Sequence, residues 1–415
     1  MQRLGQSPRD PAFVQNPYPF YEHARARGPL FFWEEYGYPC AAGHDAVNAL
    51  LRDRRFGRES VGGARPVRPA HLADFHAVDD LSLLDREPPA HTRLRGLVLR
   101  AFTSRRIAAM GPEIAALTDR LLTDCDAPEV DLLPAFAEKL PVIVIARLLG
   151  VDEAAAPDLL RWSHDMVAMY QARRDRAVEI RANAAAREFA AFLGDQIAER
   201  RARPGDDLLS HLIAAEDSGD RLSPEELVAT CVLLLNAGHE ATVHAIGNGV
   251  AAILGAGLNP PRLFADPDAT AATVEEILRF DPPLHLFTRV AREDVEILGH
   301  RFATGDTVGC LLAAANRDPA AFPDADRFAP DRFRGERVPG QLVFGAGIHF
   351  CVGAPLARLE LAIALPALFA RWPDLTLAAP PRFADRYHFR GLEALRLRPR
   401  DASGRAASDP RKKIS

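Results

Sequence analysis

Ten residues, Phe344-Gly345-Ala346-Gly347-Ile348-His349-Phe350-Cys351-Val352-Gly353, set one cysteine in a glycine-rich turn with an aromatic residue seven positions before it. A cysteine so placed can act as a lone thiolate ligand to a metal. Thiolate is soft and fully charged, so it stays bound only if it is shielded and hydrogen-bonded. Backbone amides shield well. Glycine at 345, 347 and 353 lets the main chain pass close to a flat cofactor with no Cβ in the way, and leaves positive φ open. Phe344 can cover the sulfur side of such a ring. The run Ala354-Pro355-Leu356-Ala357-Arg358-Leu359-Glu360-Leu361 then reads as a helix whose N-terminal dipole favours a thiolate. A free cysteine is by itself more often a small buried hydrophobe than a ligand; the pattern around Cys351 reverses that expectation.

Three further groups of residues could carry chemistry or support it. His91-Thr92-Arg93-Leu94-Arg95 follows a Pro88-Pro89 helix start and sets His91 and Arg95 four apart on one helical face, a spacing that an ordinary amphipathic helix shares. Glu276-Ile277-Leu278-Arg279 lies on a helix ended by Asp281-Pro282-Pro283, and an i,i+3 ion pair alone is worth under about 1 kcal/mol on a surface. Ala237-Gly238-His239-Glu240-Ala241-Thr242 puts polar groups deep within an apolar helix, where they cost stability unless partnered or functional.

The spacing Phe-x-x-Gly-x-x-x-Cys-x-Gly resembles the haem-binding loop of the cytochrome P-450 superfamily, the haem-thiolate monooxygenases. The resemblance runs from Asn16-Pro17 to about Leu397. It implies haem b held by Cys351, with Phe344, Gly345 and Gly353 in its loop. The two haem propionates need cations, because burying an unpaired ion costs several kcal/mol. The resemblance supplies His91, Arg95, Arg289 and His349 as their partners. It also makes Glu276 and Arg279 a buried structural pair completed by Arg332, in Phe328-Ala329-Pro330-Asp331-Arg332-Phe333.

On the long helix this chain departs from the family. The usual pattern is Ala-Gly-x-acid-Thr, in which acid and alcohol pass protons to dioxygen so that its O–O bond breaks heterolytically. Glu240 matches the acid, but Ala241 stands where the alcohol belongs. Thr242 is the next residue, turned by about 100° on a regular helix. Three readings stay open: a substrate hydroxyl completes the relay, ordered water with Glu240 suffices, or a local bulge re-aims Thr242. His239 reads as a histidine bonded to neighbouring backbone in preference to a haem ligand.

Certain elements must position these groups. Ser223-Pro224-Glu225-Glu226 reads as a capping-box start, and an apolar run without internal proline continues to about Leu254, some 45 Å of helix. Its middle, Val232 to Ala237, is apolar nearly all round and should be buried. The opening third mixes strand candidates such as Leu30-Phe31-Phe32-Trp33 with prolines and glycines, helical patterning dominates from about Pro88 to Phe280, and turns take over between Gly299 and Gly347. The expected fold is mainly α with a small β-rich portion, as one domain over residues 1–401. Residues 402–415, ending in Arg411-Lys412-Lys413, read as a disordered tail.

Composition removes other classes. A net charge of −5, from 51 basic and 56 acidic residues, argues against a nucleic-acid footprint. The five cysteines at 40, 125, 231, 310 and 351 form no Cys-x-x-Cys pair, which excludes the usual zinc spacings and a disulfide scaffold. No apolar run approaches the 18 residues of a membrane span, and the N-terminus has no secretory core, so a cytoplasmic, bacterial enzyme without a membrane anchor is expected.

The resemblance implies insertion of one oxygen atom of dioxygen into a medium-sized apolar organic substrate, as a hydroxylation in natural-product metabolism. Electrons would come from NAD(P)H through a ferredoxin and its reductase, docking where Arg100, Arg105, Arg106 and Arg358 could meet an acidic partner. Substrate contacts would include Leu234, Ala237, Leu286, Phe287 and His388, with His285 or His388 reading as solvated in preference to substrate-binding. A peroxide-driven haem enzyme and a haem-binding sensor are the alternatives.

Overall fold

The computed structural model describes residues 1–61, 68–125, 127–216, 222–335 and 338–399. The expected tail at 402–415 lies outside the described residues. The chain is mainly helical, and its longest element is the helix Pro224–Gly255. Ser223 Oγ accepts the Glu226 amide, and the Glu226 carboxylate accepts the Ser223 amide in return, so two of the amides left over at a helix start are satisfied. Glu226 also pairs with Arg93 at 2.5 Å, which ties this start to the helix Ala90–Ala101. At 32 residues the long helix runs about 48 Å.

The helices Lys139–Leu149, Ala156–Val167 and Arg176–Ala202 surround the long helix, with Pro267–Phe280 and Ala354–Arg371 on another side. One apolar core unites their faces. The largest sheet has six strands in the order Arg3–Leu4, Phe31–Trp33, Tyr38–Ala41, Thr307–Leu311, Leu286–Ala291, Phe56–Gly57. Within it Arg289 lies opposite Val308 and Thr288 opposite Gly309. An aromatic cluster of Phe13, Tyr21, Phe31, Trp33 and Tyr387 packs beside the sheet. Between Gly299 and Gly347 the described residues form short strands, short helical turns and loops, with no long helix.

Among the described residues, no helix is long and apolar enough to cross a membrane.

Candidate active site

The cysteine loop is a short 3-10 turn, Gly347–His349, leading into Cys351 and then the helix Ala354–Arg371. Gly345 and Gly347 take φ of 69° and 73°. At Gly347 the requirement is also steric, because a Cβ there would sit 2.4 Å from the carbonyl oxygen of Leu51. Gly353 differs from expectation: it has an ordinary φ of −78° as the cap of the following helix, and its amide, with that of Ala354, is directed at the Cys351 sulfur. Burial pushes the Cys351 thiol up, while those two amides and the guanidinium groups of Arg95 and Arg358 act in the opposite direction. Cys351 is a free thiol, and it is the one exposed cysteine among the described residues. Phe344 packs under the Arg358 guanidinium, 4.6 Å from its ring centre.

Four cationic or hydrogen-bonding groups were expected around two buried carboxylates. The structure brings His91 and His349 together, with ring centres 4.4 Å apart, and Arg95 donates to the carbonyl of Phe350 at 2.6 Å. His91 is 3% exposed, and its Nε2 has no hydrogen-bond partner. Burial first, then the nearby His349 and Arg95, pushes its pKa down to about 4. Arg289 is 2% exposed and donates to the carbonyl of Thr288, but among the described residues forms no ion pair with a carboxylate. Burial drives its pKa down to about 10. A buried guanidinium that pairs with no described carboxylate, and an orphaned imidazole nitrogen, make an anion slot. Two haem propionates fit that donor set.

His349 has a partner that sequence reasoning missed. Its Nε2 lies 2.8 Å from Glu87, whose carboxylate also accepts the Arg58 amide at 2.7 Å. Glu87 stands just before Pro88-Pro89, and that adjacency to the His91 helix was the available signal.

The long helix is buried along most of its length, yet Leu233, Leu234, Gly238 and Ala241 are half-buried and Ala237 is exposed. Steps of three and four put these residues on one stripe, the least covered face of this part of the helix. Glu240 lies off that stripe. Its Oε2 is 3.2 Å from His164 Nε2 and 3.4 Å from His239 Nε2, and its Oε1 is 3.4 Å from His244 and 3.5 Å from Arg386. Burial alone would raise this carboxyl; His164, His244 and His239 more than reverse it and hold it well below the usual range. Only His244, at i+4, was visible in the sequence as a neighbour. His164 and Arg386 arrive by tertiary folding.

The helix stays α-helical through 237–242, with no bulge, and Thr242 Oγ1 donates to the carbonyl of Gly238 at 3.4 Å. His239 contacts Ser163 at 3.3 Å through Nδ1, so side chains of other elements, and not neighbouring backbone alone, hold it.

Glu276 and Arg279 are both fully buried. Arg279 donates two bonds of 2.7 and 2.8 Å to the Glu276 carboxylate, Arg332 adds one at 3.2 Å, and the Ala329 amide a fourth at 2.6 Å. Arg279 also caps the carbonyls of Asn316 and Ala325. This is the buried triad expected of Glu276, Arg279 and Arg332.

Two of the substrate contacts need correction. His388 is half-buried, and Tyr36 and the carbonyl of Tyr170 take both its ring nitrogens at 2.7 and 2.9 Å, which leaves none for a ligand. His285 is fully buried against the Tyr21 hydroxyl at 2.8 Å. Strand alternation separates Leu286 from Arg289, and Leu286 packs against the aromatic cluster; Phe287 shares the face of Arg289 and lies 3.7 Å from where a Cβ on Gly345 would stand. On the proposed docking face, Arg358 pairs with Glu275 at 2.5 Å and Arg106 with Asp206 at 2.6 Å, while Arg100 and Arg105 are exposed.

Comparison with known proteins agrees with this geometry. The family model for cytochrome P-450 matches residues 268–373, the span holding the Glu276 triad and the cysteine loop. The chain is 40% identical over 370 residues to cytochrome P-450 107B1 of Saccharopolyspora erythraea, covering 86% of this chain and 88% of that one. It is 42% identical over 346 residues to 6-deoxyerythronolide B hydroxylase of the same organism, covering 81% and 83%. The crystal structure of CalO2 superposes with a TM-score of 0.87 at 32% identity, covering 96% of this chain and 99% of that one. With the thiolate loop, the anion slot and the buried triad in place, the chain belongs to the cytochrome P-450 family of haem-dependent monooxygenases.

Proposed function

We propose that the chain hydroxylates a medium-sized, mostly apolar organic molecule of natural-product metabolism, in the cytoplasm, using electrons from NAD(P)H through a ferredoxin and its reductase. The observation that carries the reading is the exposed Cys351 with two backbone amides directed at its sulfur, together with the buried Arg289 and the orphaned His91 nitrogen. The open stripe of Leu233, Leu234, Ala237 and Ala241 supports an apolar substrate. Similarity to a hydroxylase of 6-deoxyerythronolide B supports an oxygenated natural product.

Haem, when bound, supplies the dioxygen and one-electron chemistry. The chain's residues would do the rest. Cys351 would hold the iron, with the amides of Gly353 and Ala354 donating to its sulfur. His91, Arg95, Arg289 and His349 would hold the propionates. Glu240, ionised within its histidine cage, accepts and returns protons at its carboxylate oxygens, and Ala241 leaves the alcohol's place to a substrate hydroxyl or a water. In sum, one substrate C–H, one O2, two electrons and two protons give one C–OH and one water.

Reduced protein under carbon monoxide should show the absorption of thiolate-ligated haem, and Cys351→Ser should lose it. Steady NAD(P)H consumption with a surrogate ferredoxin and reductase, coupled to product, separates a catalyst from a haem carrier. A wild-type protein that binds haem without sulfur ligation overturns the reading.

A further inference from the structure

Glu240 Oε2, His164 Nε2 and His239 Nε2 converge from two helices, all within 4.8 Å of one another. The carboxylate oxygen stands 3.2 and 3.4 Å from the two nitrogens. Zinc bonds of about 2.0–2.1 Å place neighbouring ligand atoms of a tetrahedron roughly 3.3–3.4 Å apart, so these spacings match its edges. His239 and Glu240 are 1% and 2% exposed, and neither His239 Nε2 nor Glu240 Oε2 has a hydrogen-bond partner. The two buried atoms thus approach each other at ion-pair distance without the geometry of a hydrogen bond, as atoms aimed at a common centre do. We propose that His164, His239 and Glu240 form a binding site for one borderline divalent metal ion, with zinc as the probe.

The surroundings suit a dication. His164 keeps 38% of its side chain exposed, which gives an ion a way in and leaves a fourth position open to water. Arg386 and His244 approach the other carboxylate oxygen, Oε1, so they orient Glu240 without occupying the ligand position. The positive charge of Arg386 opposes an ion, while Glu138, close enough to act on both His164 and Glu240, offsets it. Two histidines and one carboxylate are a donor set that zinc accepts, whereas calcium and magnesium prefer all-oxygen sites. An ion held there would occupy Oε2 of Glu240 and stop its proton traffic; that consequence rests on the function proposed above, while binding itself does not.

The test is zinc titration of the haem-loaded protein against a chromogenic chelator, with the haem spectrum as the check on folding. One equivalent should bind at micromolar or tighter Kd. His164→Ala and His164→Asn should each weaken binding at least tenfold with the haem spectrum intact, and His211→Ala, at an exposed histidine beside Asp206, should leave it unchanged. A zinc-edge anomalous peak between His164 and Glu240 would place the ion. Failure of the wild type to bind zinc, or equal affinity in the His164 variants, overturns the proposal, whatever the outcome of the carbon monoxide experiment.

Discussion

Glu276 and Glu240 are both buried glutamates, and their partners differ in kind. Glu276 is gripped by two arginines and a backbone amide, with bonds of 2.6 to 3.2 Å. Glu240 is ringed at 3.2 to 3.5 Å by three histidines and one arginine. Guanidinium groups do not release protons near neutral pH, and their planar donors fix a carboxylate in two directions. Imidazoles exchange protons there. The first arrangement can only hold; the second can hold or pass a proton, and its looser distances leave room for movement.

The largest effect should come from breaking the rigid cluster. Glu276→Ala leaves Arg279 fully buried and uncompensated, at a cost of about 3–5 kcal/mol, and should yield protein that melts far lower and retains little haem. Melting temperature and haem content per chain measure it, and a variant with normal haem content would contradict the scaffold role. Glu240→Gln should instead keep haem and fold while losing roughly 100-fold or more in product formation. If its turnover is close to wild type, Glu240 is no proton carrier.

Acid should distinguish the two clusters further. Burial, against the opposing pull of Glu240, brings the His239 pKa from 6.5 down to about 4. As pH falls from about 6.5 towards 4, the unfolded chain therefore binds a proton there that the native chain refuses, and stability declines. His164, whose pKa is raised by Glu240 despite its burial, has the opposite sign: its contribution is present in acid and lost as pH rises through its folded value. The depressed Glu240 carboxyl gives up its own contribution only below the usual carboxylate range. Thermal melts of His239→Asn between pH 7 and 4.5 should show a flatter acid limb than wild type, and identical limbs would mean that His239 is not held neutral.

The smallest effect belongs to Thr242→Ala. Its hydroxyl only back-bonds to the Gly238 carbonyl, so turnover should change less than about threefold and stability by about 1 kcal/mol. A large loss of coupled turnover would instead make Thr242 the relay alcohol. Ala241→Thr tests the complementary idea, since better coupling of NAD(P)H to product would count against relay by a substrate hydroxyl.

Much of this was legible because the signals were local. The capping box at Ser223, the Glu276–Arg279 spacing and the cysteine loop each lie within ten residues of chain, and helix or turn geometry alone brings their atoms together. Arg332 and Arg289 were placed through the family resemblance. What escaped came from tertiary folding: His164 and Arg386 reach Glu240 from other elements, and Glu87 reaches His349 across a sequence separation of 262 residues. His388 was misjudged for the same reason, because its ring is satisfied by Tyr36 and by the carbonyl of Tyr170, which a one-dimensional pattern cannot show.

Gly391 gives the molecule an order of assembly. A Cβ there would fall 2.0 Å from His244 Nδ1, Asn248 bonds to the carbonyl of Arg390, and Arg386 faces Glu240, so the middle of the long helix is completed by a segment that follows the cysteine loop in the chain. A nascent chain ending before residue 386 already carries the cysteine loop and the complete Glu276 cluster, yet leaves Glu240 one cation short. Synthesis thus delivers the rigid half of the site first, and the proton-handling half waits for the segment that carries Arg386.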